Sequence, residues 1–221
     1  AAVEKVITEK KLTELEMQAL KAQMNPHFVF NCLNSIKGFI FDRDYAQADK
    51  YLDKFSDLMR STIDNSDAAI ISLQNEISYL DNYLQLEKLR FEDKFNYKIE
   101  VNADIDREKF FVPAMLLQPY VENAIRHGLL HKKGGKSIAV HFEFDEVKKQ
   151  LACTITDNGV GRKASAEINA GRKQLHESFS TSANAKRLEL LNQNRDEKIG
   201  VQYEDLTEGT RVSILIPVSY D

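Results

Sequence analysis

The chain has 221 residues, 43% hydrophobic and 29% charged, enough for one large domain or two small ones with a buried core. Its formal net charge of −4 argues against direct nucleic-acid binding, which calls for a basic excess. The two cysteines, Cys32 and Cys153, have neither metal-ligand spacing nor a disulfide framework and suit a reduced, cytoplasmic setting. No apolar run approaches the ~20 residues of a membrane span, and the opening AAVEKVITEKK is no signal peptide.

Residues 3–24 lack Gly and Pro, and Leu12, Leu15, Ala19 and Ala22 recur in steps of three and four, a short coiled-coil-like seam. A helix with one apolar stripe needs a partner: a second copy, giving a homodimer, or the next helix of the same chain. The chain opens in the middle of a helical pattern, as a cytoplasmic piece of a longer protein would. Pro26 interrupts the pattern in QMNPHFVFN, either kinking the helix or opening a fresh one at its first position. His27 therefore sits at a helix junction, which it either merely fills or uses for chemistry. From there a helix is predicted to about Phe41, a break at Asp42–Asp44, and a second helix over Tyr45–Ile63 with Leu52, Phe55, Met59 and Ile63 on one face. The two read as an antiparallel hairpin. A third helix, Leu73–Arg90, carries Ile77, Leu80 and Leu84 and docks the hairpin onto the C-terminal part of the chain.

The texture changes after Phe91, so the chain divides into a helical part, 1–91, and an α+β part, 92–221. FNYKIEV alternates as a half-buried strand. PAMLLQPYVENAIRHGLL reads as one helix, SIAVHFEF and QLACTITD as a hairpin, and ANAKRLELLNQN as a helix. VQYED and TRVSILIPV form a closing hairpin about Thr207–Gly209. Residues 162–182 are polar without a clear period and read as a mobile segment.

Two stretches carry chemistry. In ENAIRHG, Asn123, Arg126 and His127 fall at i, i+3 and i+4 on one helical face. The Asn carbonyl suits a hard cation such as Mg²⁺, and Arg and His suit phosphate oxygens. DNGVGR, Asp157–Arg162, comes directly after a strand. A carboxylate there can accept from an amine, and the glycines allow the backbone close to a ligand.

Strand, ENAIRHG helix, hairpin, DNGVGR, polar segment, helix, then Gly209–Thr210 and a strand: this order resembles the ATP-binding domain of the GHKL (Bergerat) superfamily, an α/β sandwich. The resemblance implies that Asn123 coordinates Mg²⁺ and that Asp157 accepts from the adenine amine. It also implies that Arg126 and His127 meet phosphates, that Gly159 and Gly161 shape the pocket, and that Thr210 borders it. Residues 162–182 become the ATP lid, with Ser180, Thr181 and Ser182 at its expected turn, where hydroxyls would donate to phosphates. The lid departs from the family's pattern: there is no glycine between Gly171 and Gly200.

The stretches QMNPHFVFNCLNSI, LQNEISYLDNYLQLEKLRF and LQPYVENAIRHG together resemble the LytS-like sensor histidine kinases. By that resemblance residues 1–91 form a helical dimerisation and phosphoacceptor hairpin, and 92–221 bind ATP and Mg²⁺. His27 is the residue phosphorylated, Glu122 is the candidate base or else a surface charge, and Asn31 is a candidate for the reverse phosphatase step. The implied partners are a second copy, a response regulator (the LytTR type being one candidate) and an N-terminal sensor region, in a parent of the bacterial inner membrane. Two other outcomes are open: a degenerate dimer that signals by conformation, which the glycine-poor lid supports, and an ATPase clamp working through Glu122.

Overall fold

The computed structural model describes residues 26–66, 68–91, 94–170, 177–193 and 195–218, apart from the side chains of 26, 27, 66, 169, 170 and 177–183. The seam at Leu12–Ala22 lies outside the described residues. The chain forms two compact units, divided between Ala69 and Ile70.

The first unit is a helical hairpin, α1 Pro26–Phe41 and α2 Tyr45–Ser66. Pro26 stands at the start of α1, where its missing N–H costs nothing. Arg43 turns left-handed, φ 60°, to end α1. Asp44 then caps α2, its Oδ1 accepting from the Gln47 N–H at 3.1 Å. Between the helices lie Cys32, Ala48, Tyr51, Leu58 and Thr62, all buried. The Tyr51 hydroxyl donates to Cys32 Sγ at 3.5 Å, and its ring lies 5.7 Å from that of Phe39. Of the four residues expected on one face of α2, Leu52 and Ile63 are exposed, as are Phe30 and Leu33 on α1. Tyr51 and Leu58, with the smaller Cys32, Ala48 and Thr62, close the hairpin, while Phe30, Leu33, Leu52 and Ile63 remain exposed.

The second unit begins with β1, Ile70–Ser72. It pairs antiparallel with β3, Phe111–Pro113, and Ile70 lies opposite Pro113. Next comes α3, Leu73–Phe91, whose start Ser72 Oγ caps by accepting from the Asn75 N–H at 3.2 Å. By packing, α3 belongs to this unit, so the units part before it and not at the change of texture after Phe91. Beyond it lies a five-stranded sheet of β2 Phe95–Val101, β4 Lys136–Asp145, β5 Gln150–Asp157, β6 Gly200–Asp205 and β7 Thr210–Pro217. Its order is β2-β4-β5-β7-β6, with β2 parallel to β4 and the other neighbours antiparallel. Alternate residues of β4, β5 and β7 are buried, the period-2 pattern of a sheet covered on one side.

Two helical expectations need correction. Residues 114–117 form a turn, not helix, and Met115 has φ 55°. The helix α4 starts only at Gln118, runs to Asn123, and passes into a π-helical turn over Ala124–Leu129. Pro113 closes strand β3 instead of opening a helix. The segment 162–182 also holds helix: α5 covers Gly161–Ala170 and α6 covers Glu177–Asn192. RKASAEINA has no Gly or Pro and includes good helix formers, which outweigh its weak apolar period.

Two carboxylates of α3, Glu76 and Glu87, are buried, and Glu87 is 2% exposed. Arg90 Nη2 lies 2.5 Å from Glu87 Oε2, an ion pair that leaves this oxygen without an aligned hydrogen bond. Burial raises the Glu87 pKa to about 7; Arg90 opposes the rise and the Glu122 charge adds to it. Because the folded pKa lies above the unfolded one, the stabilising contribution is present below the unfolded value and is lost as pH rises through about 7. Glu87→Gln is therefore expected to flatten the loss of stability between about pH 5 and 8 and to raise the melting temperature at pH 8 by about 2–4 °C. Thermal unfolding across that range checks this, and an unchanged pH dependence would contradict it.

Candidate functional site

The site is built around Asp157, the last residue of β5 and 5% exposed. Its Oδ1 accepts from the Gly159 N–H at 2.7 Å. Burial pushes its pKa up, while the Gly159 and Thr210 amides and the charge of Lys132 hold it down. Such support needs backbone very close to the carboxylate. A Cβ on Gly159 would lie 2.3 Å from the Gly128 carbonyl carbon, and one on Gly209 would lie 1.9 Å from the Asp157 carbonyl oxygen. Neither position admits a side chain. Gly209 also has φ +85°.

The loops around Asp157 are tied to one another. Lys132 Nζ donates to the Asn158 carbonyl at 2.6 Å and to Glu208 Oε2 at 3.0 Å. Asn158 Oδ1 accepts from the Ser137 N–H at 2.8 Å. Lys136 Nζ donates to the carbonyls of Leu129, at 2.6 Å, and Lys132, ending the π-helix. The Val160 N–H reaches the Gly128 carbonyl at 3.1 Å. The DNG turn is thus held by the end of the π-helix on one side and by the β6–β7 turn on the other.

Beside Asp157 opens a cavity of about 570 Å³, within the ~300–1,000 Å³ of small-molecule sites. Of the residues singled out from the sequence, Asn123, His127, Asp157, Gly161 and Thr210 line it. Arg126 does not, although it was expected to share a face with Asn123 and His127. The wider π-helical turn from Ala124 brings i+4 into line with Asn123 and carries i+3 away. Gly159 shapes the site from behind, against Gly128. Glu122 is likewise not among the lining residues. It accepts from Gln118 Nε2 at 2.6 Å, and its charge acts on Glu87 and Tyr83. The side chains of Ser180 and Thr181 lie outside the described residues; their backbone is part of helix α6, where a turn was expected.

His27 and Asn31 belong to α1 in the first unit. The His27 side chain lies outside the described residues. Asn31 is half-buried, and its carbonyl accepts from Ser35 Oγ at 3.0 Å. The sequence motifs gave no sign of Tyr120, Arg162, Ser165 and Tyr203 as part of the cavity wall. Arg162 lies over the Tyr203 ring, 5.0 Å from its centroid, and 3.8 Å from Asp205. Alternation in VQYED puts Tyr203 on one side of β6, but which side borders a cavity is set by how the sheet is covered. The wall offers an acceptor at Asp157, an amide at Asn123, an imidazole at His127 and aromatic surface at Tyr120 and Tyr203. That set suits a ligand with an amine-bearing ring and anionic oxygens.

Residues 15–95 match the family model described as histidine kinase. Sensor protein LytS of Staphylococcus saprophyticus is 33% identical over 212 residues, which are 93% of this chain and 34% of that protein. Sensor protein LytS of Bacillus subtilis is 32% identical over 214 residues, 95% of this chain and 35% of that one. The chain thus spans about one third of the length of these relatives. A solved structure titled as a bacterial phosphotransferase superposes with a TM-score of 0.52 at 11% identity, covering 90% of this chain and 95% of that one, and shares the fold. With a helical hairpin followed by an α/β unit, and about one third identity over more than nine tenths of its length, the chain is similar to the LytS-like sensor histidine kinases.

Proposed function

We propose that the chain is the catalytic core of a sensor histidine kinase. ATP held in the second unit phosphorylates His27, and a response regulator aspartate then takes the phosphoryl group. The observation that supports this most is the buried Asp157 carboxylate facing a cavity that Asn123 and His127 also line. In this reading Asp157 accepts from the adenine amine, and His127 faces the phosphates. Arg126, away from the cavity wall, contributes only long-range charge. Among the described residues no three His, Cys, Asp or Glu side chains gather to hold a metal. Mg²⁺ would accordingly be held by the Asn123 carbonyl and the phosphates, and it would supply charge neutralisation. A His27 ring nitrogen attacks the γ-phosphorus through its lone pair; the N–P bond forms, the bond to the β–γ bridging oxygen breaks, and ADP leaves. Glu122 would have to leave Gln118 to act as a base. The same arrangement counts against an ATPase clamp working through Glu122.

The proposed assembly is a homodimer. Phe30 and Leu33 on α1 and Leu52 and Ile63 on α2 are exposed, and a second hairpin could cover them. In a protein of the length of the LytS relatives, the remaining chain would carry the sensor region and the membrane attachment of an inner-membrane parent. Among the described residues no helix is long and apolar enough to cross a membrane. Asn31, one turn after His27, is proposed for the phosphatase step, and a LytTR-type regulator is one candidate partner. Helix through Ser180–Ser182, in place of a glycine turn, favours a second reading, a dimer that signals by conformation with little kinase activity.

Incubation with γ-labelled ATP and Mg²⁺ separates these readings. The native chain should gain acid-labile label, His27→Gln none, and Asn123→Ala at least about tenfold less. Label on His27→Gln would overturn the acceptor, and nucleotide binding without label would favour the conformational dimer. Gly159→Ala, whose Cβ would meet Gly128 at 2.3 Å, should weaken nucleotide binding by at least about tenfold, as read by titration. Leu52→Glu with Ile63→Glu should convert the dimer to monomer in sedimentation at micromolar concentration, leaving nucleotide affinity within about twofold.

A further inference from the structure

The turn at residues 114–117 is costly backbone in a critical place. Ala114, Met115, Leu116 and Leu117 are all buried, and Met115 has φ 55°, a left-handed conformation unfavourable for any residue with a Cβ. The turn leads directly into α4, which carries Tyr120 and Asn123 to the cavity. Leu117 precedes the first residue of α4 and offers no side-chain cap.

Two side chains from different helices hold this turn. Glu76 on α3 is 0% exposed. Its Oε2 accepts from the Met115 N–H at 3.0 Å and its Oε1 from the Leu117 N–H at 2.9 Å. Both oxygens are thus spent on the backbone of one turn, and one of them caps the start of α4 from a distance. Arg187 on α6 donates from Nη2 to the Ala114 carbonyl at 2.6 Å. Its charge favours the ionised form of Glu76. Ser180 and Thr181 stand two turns earlier on the same helix.

We infer that Glu76 and Arg187 are positioning residues for the nucleotide site: together they fix the 114–117 turn, and through it the helix bearing Asn123 and the helix at the end of the lid. The inference rests on the nucleotide reading of the cavity. Neither residue lines the cavity, so both act through the turn. Burial drives the Glu76 pKa to about 7, against the Leu117 and Met115 amides and Arg187. The buried Cys153 thiol on β5 also feels the Glu76 charge. Without Arg187 the buried carboxylate would lose its cationic neighbour and take up a proton more readily, and a protonated Glu76 can no longer offer two equal acceptors to the turn.

The test compares the native chain with Arg187→Ala, Arg187→Lys and Glu76→Gln, measuring ATP affinity by titration, autophosphorylation rate against ATP concentration, and thermal unfolding. Arg187→Ala should raise the dissociation constant and the KM for ATP by about five- to tenfold, with the plateau rate within about twofold of native. Arg187→Lys, which keeps a charge and a donor, should recover most of the loss. ATP affinity unchanged in Arg187→Ala would overturn the inference. A fall in plateau rate that tracks loss of folded protein, without rescue by Lys, would overturn it too, by showing a role in stability alone. The Arg187 pair decides if Glu76→Gln does not fold. Failure of the native chain to bind ATP would instead defeat the nucleotide reading itself.

Discussion

A carboxylate at the end of a central strand, buried to 5% exposure, has to be supported by N–H groups that come to it. Asp157 meets that condition with backbone, and the requirement spreads outward through the site. The Gly159 amide can reach Oδ1 because Gly159 and Gly128 are in contact with no side chain between them. The β6–β7 turn can lie against the Asp157 carbonyl because residue 209 is glycine. Lys132 then ties the Asn158 carbonyl to Glu208, joining the three loops that meet at the carboxylate. Such a cluster is rigid because it has few degrees of freedom left. A rigid acceptor at a cavity wall is what recognition of a ring amine requires.

The two units are held in different ways. The second is a sheet whose alternating strands bury Ile138, Val140, Phe142, Leu151, Ile155, Ile214 and Ile216, supported by carboxylates working on backbone. The hairpin of the first is closed by Cys32, Ala48, Tyr51, Leu58 and Thr62, a thin interior. Leu33, Leu52 and Ile63 lie outside it, whereas Leu58 is buried. A hairpin that keeps its best apolar surface exposed gains little from folding alone and much from association. The exposed Phe30, Leu33, Leu52 and Ile63 are what the proposed homodimer would cover.

Much of this was legible in the sequence. Strand β2 and the strands from β4 onward could be read from the sequence, and the five cavity residues from motifs in order. What was not legible has physical causes. Glu76 and Glu87 sit among Leu, Tyr and Ile on α3 and look like the polar side of an amphipathic helix; only the position of the 114–117 backbone shows why Glu76 is buried. The π-helical turn leaves no mark in ENAIRHG, yet it decides that His127 and not Arg126 joins Asn123. The β1–β3 pairing joins two three-residue strands far apart in the chain, Ser72 to Phe111 at its nearest, with no local signal at either end. Which part of α2 is covered was not legible either, because apolar periodicity shows that Leu52, Phe55, Met59 and Ile63 share a face but not what that face meets. Tyr51 and Leu58 are buried, whereas Leu52 and Ile63 are exposed.

In the proposed nucleotide reading, the glycine-poor stretch that leads into α6 is the lid, and the question is what a lid requires. Glycine gives a lid many conformations, and each must be given up when the lid closes over a ligand. Helix α6 begins at Glu177 and includes Ser180 and Thr181, so a lid made from it would already have given up much of that freedom before any ligand arrives. An ordered lid costs less to close and is slower to find alternatives. Arg187 anchors the same helix to the Ala114 carbonyl at 2.6 Å, next to the turn that starts the Asn123 helix. In that reading, a helical lid anchored there would pass a shift of α6 on to the turn before Asn123, whereas a glycine loop would absorb such a shift. The missing glycines therefore need not weaken the site: they exchange adaptability for coupling, provided the anchor at Arg187 holds.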